Sequence, residues 1–422
     1  MWPCWREKKE KEWGWAVDGD GKIEAVGLDS EIDAALQGCT FDHVIDASGQ
    51  CVIPGLVDAH THPVWEGDRV HEFAMKLAGA TYMEVHAKGG GIHYTVDCVR
   101  RASLDQLYTS LDRRLTAMLT TGTTVVEAKS GYGLDLENET KMLRAIERAK
   151  REHAMTISST YCGAHAIPKL VHFMRFGIDP DYIELISMEY HRKHGRGCNS
   201  RRGKCPDPAL RELCATGELS IDNIDVFCEK GVFDTDASRR ILSTGKDAGW
   251  KLNFHGDELF PMNSGELAGE LGAHAVSHLE NVSVAGIEAM ATANTVAVLL
   301  PTTAYILRLQ HPPARQMIER GVAVALGSDF NPNAYCMSMP LVMHLACVNL
   351  HLTMSEALAA ATINAAASLG LSESHGSLEI GKNGDMVIIN SARWEHLVYQ
   401  LGCHNQLIKY VIKEGKIVHR QQ

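Results

Sequence analysis

The chain has 422 residues, of which 45% are hydrophobic and 22% charged, and its formal net charge at pH 7 is -11. This length fits one large domain with an appendage or two to three average domains, and the negative charge argues against a general nucleic-acid or anionic-membrane surface. No stretch approaches the roughly 18 apolar residues of a membrane span, and no apolar region follows the basic N-terminus, so we expect no secretory signal.

Short alternating strands with glycine turns are predicted near both ends of the chain. The segments are GKIEAVG (21–27), HVIDASGQ (43–50), GSLEIGKNGDMVIINS (376–391) and IKYVIKEGKIVH (408–419). We therefore expect a small β-sandwich domain formed by both termini, from residues 1–52 and 371–422.

Between these segments, eight short β-branched runs alternate with helix-period stretches, and each run ends in polar or charged residues. The runs are residues 51–62, 123–131, 156–165, 223–231, 251–258, 275–280, 295–303 and 322–332. Apolar residues three and four apart predict helices over 104–122, 137–152 and 313–321. The alternation predicts a closed parallel (β/α)8 barrel over residues 53–370, a TIM-like α/β fold in which the carboxyl ends of the strands converge on one mouth.

Residues 169–209 break the alternation as an atypical insert, which contains the basic stretch HRKHGRGCNSRRGKC. Runs of charge are usually solvated, so we interpret this stretch as a surface loop rather than a nucleic-acid site.

The 12 cysteines include no tight paired CxxC motif. Several of them lie in apolar runs, where a reduced thiol behaves as a small core hydrophobe. We therefore expect a reducing compartment, most simply the cytosol.

Four residues at predicted strand ends form a candidate metal site. His60 and His62 are two apart and project to the same side of a strand, although a chain with 21 histidines can contain one HxH by chance. His255 and Asp329 lie at the ends of the fifth and eighth strands. A catalytic zinc or iron ion needs about three to four N/O ligands and an open position for water, and these candidate metal ligands supply them.

Glu258 and His278 are the candidate acid–base residues. Water bound to such a metal loses a proton near neutral pH, and Glu258 lies three residues beyond His255, within reach of that water as general base and proton shuttle. His278 ends the sixth strand and is free to steer a polar substrate oxygen or to help move protons.

Lys129, at the end of the second strand, raises the alternative of a carbamylated lysine that bridges two metals. The end of the fourth strand, Val226 to Glu229, offers no well-placed lysine. One metal ion is therefore expected.

Long motifs around these residues resemble those of a known family. They are VIPGLVDAHTHPVW, GDRVHEFAMKLAGATYMEVHAKGGGI, KSGYGLD, TYCGAH, NIDVFCEKGVFD, NFHGDE, SHLE, LLPTTAY and ALGSDFNPNAYC. From about residue 40 to the C-terminus, apart from residues 169–209, the chain resembles the imidazolonepropionase family of metal-dependent amidohydrolases in its animal form. The resemblance implies hydrolysis of the ring amide of 4-imidazolone-5-propanoate to N-formimidoyl-L-glutamate in histidine degradation, by a homodimer.

The resemblance also implies roles for single residues. The four candidate metal ligands would hold one zinc or iron ion per chain, with Glu258 and His278 as the catalytic pair and Glu258 or Asp329 as the proton donor to the leaving nitrogen. The residues implied to contact substrate or product are Arg69, Tyr132, His165, Glu258 and Asn331. The chemistry of Arg69 agrees, because a planar guanidinium suits the substrate's propionate.

Two other functions stay open on sequence grounds. An aminohydrolase of the same superfamily, which deaminates a heterocyclic ring, uses a similar residue set, and the release of ammonia would distinguish it. A non-catalytic barrel used for assembly is the other alternative, but such proteins usually lose metal ligands that this chain retains.

Overall fold

The computed structural model describes residues 13–79, 90–167 and 208–421. Nearly all of the predicted insert and its basic stretch lie outside the described residues, as do the first 12 residues. Within the described ranges, no helix combines the length and the apolar character that a bilayer crossing requires.

The structure contains strands in three sheets and helices that surround the largest of them. The strands are β1 (Trp13–Val17), β2 (Ile23–Leu28), β3 (Cys51–Pro54), β4 (Leu56–Asp58), β5 (Thr123–Lys129), β6 (Thr156–Ala164), β7 (Asn223–Cys228), β8 (Lys251–Gly256), β9 (Ala275–His278), β10 (Val296–Leu299), β11 (Val324–Leu326), β12 (Met386–Ile389), β13 (Ile408–Lys413) and β14 (Lys416–Arg420).

The helices are α1 (Asp29–Ala35), α2 (Val70–Leu77), α3 (Ile92–Arg101), α4 (Leu104–Thr120), α5 (Leu136–Glu152), α6 (Pro208–Ala215), α7 (Thr235–Asp247), α8 (Ser264–Leu271), α9 (Val284–Ala293), α10 (Pro301–Leu307), α11 (Ala314–Glu319), α12 (Met339–Asn349), α13 (Met354–Ala360), α14 (Ile363–Ser368), α15 (His396–Tyr399) and α16 (His404–Leu407).

The eight strands β4 to β11 form one parallel sheet in sequence order. Beyond the regular strands the first and last members meet, because the Asp329 N–H donates to the His60 carbonyl at 2.9 Å and the His62 N–H donates to the Phe330 carbonyl at 2.8 Å. The sheet thus closes into the predicted (β/α)8 barrel, and each of the eight predicted runs contains one of its strands.

The first predicted run, residues 51–62, differs from the prediction because it contains two strands. β3 pairs with β12 in the terminal sheet, whereas β4 pairs with β5 in the barrel. Gly55 separates the two strands, and a Cβ at this position would lie 2.2 Å from Oγ1 of Thr124. Glycine therefore lets the chain cross from one sheet to the other in close contact with the barrel, and β3 spans the expected domain boundary.

The termini form a separate small domain, as predicted. It consists of the antiparallel sheet β14-β13-β12-β3 and the hairpin β1-β2, with a buried cluster that contains Ile23, Ile388 and Ile412. The strand predicted over 43–50 is absent, because Asp46 accepts a hydrogen bond from the Ser48 N–H at 2.9 Å and closes a turn there.

The predicted strand over 376–391 is present only as β12, and the residues before it turn at Gly381, whose φ is 87°. The three helices predicted from apolar spacing are present as α4, α5 and α11. In α4 the fully buried Leu107, Leu111 and Leu115 recur every four residues and present one apolar face to the core.

Candidate functional site

The candidate metal ligands converge at the mouth of the barrel. Nε2 of His62 lies 3.2 Å from Nε2 of His255, and Oδ1 of Asp329 lies 3.6 Å from Nε2 of His60 and 3.7 Å from Nε2 of His62. All four side chains are buried. Two follow the first barrel strand, one lies on the fifth and one follows the eighth, so barrel closure brings them together.

The chemistry and spacing of these atoms fit a transition metal. Zinc binds nitrogen and oxygen at about 2.0–2.2 Å in tetrahedral sites, which places its ligand atoms about 3.3–3.5 Å apart. Nε2 of His60 is buried and has no hydrogen-bond partner within the described residues. Burial holds the pKa values of His60 and His62 well below their ordinary range, so both rings are in the neutral form that binds metals.

Two further side chains orient these imidazoles. Oγ of Ser277 lies 2.8 Å from Nδ1 of His60, and Oδ1 of Asp225 lies 2.9 Å from Nδ1 of His255. Such contacts fix which ring nitrogen faces the metal. The sequence interpretation did not single out Asp225, although an acid inside the apolar run NIDVF was a usable signal.

Lys129 is fully buried beneath this site and pairs with two carboxylates. Its Nζ lies 2.8 Å from Oε1 of Glu127 and 2.8 Å from Oδ2 of Asp225. Burial alone would lower the pKa of Lys129, but the carboxylates outweigh it and raise that pKa above its ordinary value. Lys129 is thus a charged counter-ion of Asp225, which gives no support to a carbamylated lysine.

The candidate acid–base residues lie next to each other. Nε2 of His278 is 3.7 Å from Oε2 of Glu258. Burial first, and then repulsion from Glu280 and Asp329, raises the pKa of Glu258 well above its ordinary range. A raised pKa favours the protonated form of the carboxyl group, from which Glu258 can donate a proton in acid–base catalysis.

Backbone strain coincides with these strand ends. Four non-glycine residues adopt positive φ there, namely Asp257 (52°), His278 (78°), Leu279 (68°) and Asp329 (48°). Such conformations cost about 1–3 kcal/mol each and persist only where surrounding contacts enforce them. Two of these four residues, His278 and Asp329, are candidate site residues, so part of this strain lies at the site itself.

Tyr132 and His165 surround one of the candidate metal ligands. The His165 ring stacks on His62, with centroids 4.6 Å apart and planes 12° from parallel, and the Tyr132 centroid is 5.9 Å from that of His62. Burial, followed by repulsion from the His255 ring, lowers the pKa of His165 to about 4, so it is neutral near pH 7.

Arg69 supplies a positive charge beside this group. Burial raises the pKa of Tyr132, and the positive charge of Arg69 opposes that rise. Nη2 of Arg69 donates to Glu72 at 2.7 Å. Nε of Arg69 is buried and has no hydrogen-bond partner in the part of the chain that the structure describes.

Asn331 lies two residues after Asp329, and its carboxamide bonds to its own loop. Nδ2 donates to the Asp329 carbonyl at 2.7 Å, and Oδ1 accepts from the N–H groups of Asn333 at 2.7 Å and Ala334 at 2.9 Å. The side chain thereby shapes the loop that carries Asp329.

Glu139 is a second residue that sequence reasoning missed. Its buried carboxylate accepts hydrogen bonds from three backbone N–H groups, those of Gly131 at 2.9 Å, Gly133 at 2.7 Å and Leu134 at 2.8 Å. These bonds fix the loop that carries Tyr132. A glutamate on the buried face of an amphipathic helix was the available signal.

Comparisons with known proteins agree on the type of enzyme. The model of the "Amidohydrolase family" matches residues 245–418. The chain is 59% identical over 404 residues to "Probable imidazolonepropionase" of Homo sapiens, covering 96% of this chain and 90% of that protein. It is 51% identical over 403 residues to the protein of the same name from Dictyostelium discoideum, covering 95% and 89% of the two chains.

Solved structures with low sequence identity share the fold. A 5-methylcytosine deaminase from Klebsiella pneumoniae superposes with a TM-score of 0.71 at 15% identity, covering 98% of this chain and 96% of that one. An adenosine deaminase from Xanthomonas campestris with bound zinc gives a TM-score of 0.66 at 17% identity, covering 97% and 88%. At these identities the likeness concerns the fold alone.

Proposed function

Since the chain belongs to the imidazolonepropionase family of the amidohydrolases, we propose that the site at the mouth of its barrel hydrolyses 4-imidazolone-5-propanoate to N-formimidoyl-L-glutamate. The enzyme is a hydrolase of a cyclic amide C–N bond in histidine degradation. The observation that carries this assignment to the site is the approach of His62 to His255, at 3.2 Å, with Asp329 3.7 Å from the same His62 nitrogen.

His60, His62, His255 and Asp329 would hold one zinc or iron ion. When bound, such an ion acidifies a water molecule and polarises the carbonyl oxygen of an amide. Asp225 and Ser277 would keep two of the imidazoles in the tautomer that leaves Nε2 free for the ion.

Glu258 would take a proton from the attacking water, and Glu258 or Asp329 would return one to the ring nitrogen as the C–N bond breaks. His278, 3.7 Å from Glu258, would donate a hydrogen bond to the oxygen that gains negative charge. The raised pKa of Glu258, which burial and neighbouring carboxylates cause, suits a group that carries a proton between the two steps.

Arg69 would bind the propionate of the substrate. Glu72 accepts a hydrogen bond from Nη2 of the guanidinium at 2.7 Å, and the buried Nε, which has no partner among the described residues, would donate to a carboxylate oxygen of the substrate. Tyr132 and His165, which lie against His62, would contact the ring. Asn331, whose side chain also bonds to its own loop, would contact substrate or product.

The remaining parts of the proposal concern the whole chain. We propose a barrel over residues 53–370, with 169–209 as an insert, and a small domain from residues 1–52 and 371–422. The active form would be a cytosolic homodimer whose partner is the small-molecule substrate, with no role for nucleic acid or membrane. The net charge of -11 supports the last point.

The decay of ultraviolet absorbance of freshly prepared 4-imidazolone-5-propanoate tests this function. Purified protein is expected to accelerate the decay above the spontaneous rate without releasing ammonia. Ammonia release from a heterocyclic substrate would favour a deaminase instead, an alternative that the similarity to imidazolonepropionases does not favour. Unchanged decay with metal-loaded protein would refute the assignment.

The metal site has its own test, which does not depend on activity. Purified protein is expected to hold about one zinc or iron ion per chain, and His60→Ala is expected to lose most of it, because a ligand contributes directly to metal affinity. Elemental analysis of both proteins measures the change. Equal metal content in the two proteins would contradict the ligand assignment.

A further inference from the structure

Glu280 is a buried acid that lies next to Nδ1 of His278, whereas Glu258 lies next to Nε2 of the same ring. Its residue is 4% exposed, and neither of its carboxylate oxygens has a hydrogen-bond partner on another described residue. A buried acceptor without a partner costs about 1–3 kcal/mol, and more when it is charged. An acid retained in this position therefore calls for a functional explanation.

The nearest complementary atom is also without a partner. Oε2 of Glu280 lies 3.8 Å from Nδ1 of His278, and this Nδ1 is buried with no hydrogen bond to any described residue. Two unpartnered polar atoms thus face each other at a distance that a small side-chain rotation or one bridging water would turn into a hydrogen bond. On the opposite edge of the ring, Nε2 of His278 faces Glu258 at 3.7 Å.

The backbone holds this arrangement together. The loop after β9 bonds to the end of β8 and to the loop after it. The Leu279 N–H donates to the Gly256 carbonyl at 3.0 Å, the Asn281 N–H donates to the Asp257 carbonyl at 2.8 Å, and Asn281 Nδ2 donates to the Glu258 carbonyl at 2.6 Å. The two loops therefore place Glu258, His278 and Glu280 as one unit.

From this geometry we propose that Glu280 is a positioning residue, which accepts a hydrogen bond from Nδ1 of His278 and so directs Nε2 toward Glu258 and the reacting centre. The inference rests on the proposed function, in which His278 contacts the reacting oxygen. An imidazole whose Nδ1–H is held by a carboxylate has a defined orientation, and the carboxylate stabilises the imidazolium when Nε2 also carries a proton. Glu280 itself does not touch the substrate.

Kinetics of Glu280→Gln and Glu280→Ala test the proposal. Gln keeps the shape and an acceptor oxygen but removes the charge, whereas Ala removes the contact. We expect kcat to fall about 10-fold for Gln and about 100-fold for Ala, the range usual for partners that orient a catalytic group. KM and metal content are expected to stay within about twofold, since Glu280 binds neither substrate nor metal.

The His278→Asn background separates positioning from a purely structural role. If Glu280 acts through His278, then Glu280→Gln is expected to cause no further loss of kcat once His278 is absent. Independent, multiplicative losses would overturn the proposal, as would an unchanged kcat in Glu280→Gln alone. Glu288→Gln is the matched control, because Glu288 lies on the outer helix α9 with a side chain that is 65% exposed, and its kcat is expected to equal that of the parent protein.

Nitrogen NMR of labelled histidine provides a readout that does not depend on turnover. In the metal-loaded protein, Nδ1 of His278 is expected to be protonated, and Glu280→Gln is expected to shift its resonance. If the parent protein shows no activity but this shift occurs, the proposed function fails and the contact stands. If Nδ1 is unprotonated, or if its resonance is the same in the parent protein and in Glu280→Gln, the positioning proposal fails whatever the activity.

Discussion

Buried charged side chains in the barrel interior position single residues of this site. Lys129 lies between Glu127 and Asp225, and none of the three side chains reaches solvent. Asp225 in turn contacts His255 at 2.9 Å. Burial pushes the pKa of Asp225 up, but His255 and Lys129 outweigh it and lower that pKa below its ordinary value. The lysine thus keeps the partner of a candidate metal ligand ionised.

Removal of this lysine is predicted to destabilise the fold. Lys129→Met leaves two buried carboxylates without their cation, and breaking a buried ion pair in this way costs about 3–5 kcal/mol. Chemical or thermal unfolding of the purified variant measures the loss. Lys150→Met is the matched control, since Lys150 pairs with Asp222 at 2.7 Å nearer the surface, and its cost is expected to be about 1 kcal/mol or less.

At the level of elements, hydrogen bonds to acidic side chains on neighbouring elements fix the shape of loops that follow the barrel strands. The carboxylate of Glu139, on α5, accepts hydrogen bonds from the N–H groups of Gly131, Gly133 and Leu134. His165 adds a hydrogen bond from Nδ1 to the Gly131 carbonyl at 2.9 Å. The loop that presents Tyr132 is therefore fixed from two sides before any substrate binds.

Close packing in this loop makes Gly133 sensitive to a single methyl group. A Cβ at Gly133 would lie 2.4 Å from the Glu139 nitrogen and 2.6 Å from the Asn138 carbonyl carbon. Because those are backbone atoms, the loop must move, which is expected to cost about 1–3 kcal/mol of stability. The displacement of Tyr132 is expected to raise KM for the substrate about tenfold, equivalent to about 1.4 kcal/mol of binding.

Steady-state kinetics and thermal unfolding of Gly133→Ala test this expectation. Gly19→Ala is the control, because a Cβ at Gly19 would meet no heavy atom within 4 Å. Parent-like KM and stability in Gly133→Ala would show that the loop accommodates the methyl group and that its shape does not determine substrate binding.

For the whole molecule, the candidate metal ligands join the two ends of the barrel sheet. His60 and His62 follow β4, the first strand, while Asp329 follows β11, the last. β4 and β11 are the two ends of the strand order. The segments that follow them are joined by an isolated bridge between Thr61 and Phe330. A metal held by residues from both strands would therefore reinforce the closure of the barrel.

Metal removal is accordingly predicted to destabilise the protein. A ligand that binds only the folded state stabilises it by about 2.7 kcal/mol when its concentration is about 100 times Kd. The midpoint of thermal unfolding is expected to fall after dialysis against a chelator and to recover when zinc is added back. The His60→Ala protein is expected to show no such recovery, and identical midpoints for metal-free and metal-loaded parent protein would contradict this role of the metal.

The amino-acid sequence alone determined the alternation of strands and helices, the barrel, the small domain formed by both termini and the polar residues at the strand ends. These features follow from local periodicity and from the rule that parallel strands converge at their carboxyl ends. Gly55 shows where local patterns stop being sufficient, because the continuous run 51–62 divides between two sheets only when each half finds its partner strand.

Only the tertiary structure decided which buried charges meet. Asp225 contacts His255 across 30 residues of sequence, Ser277 contacts His60 across 217, and Lys129 lies between carboxylates from two strands. Glu280 faces His278 across a backbone in which His278 and Leu279 adopt positive φ. Such contacts depend on the register of the closed sheet and on strained strand ends, and neither property is encoded in the spacing of residues along the chain.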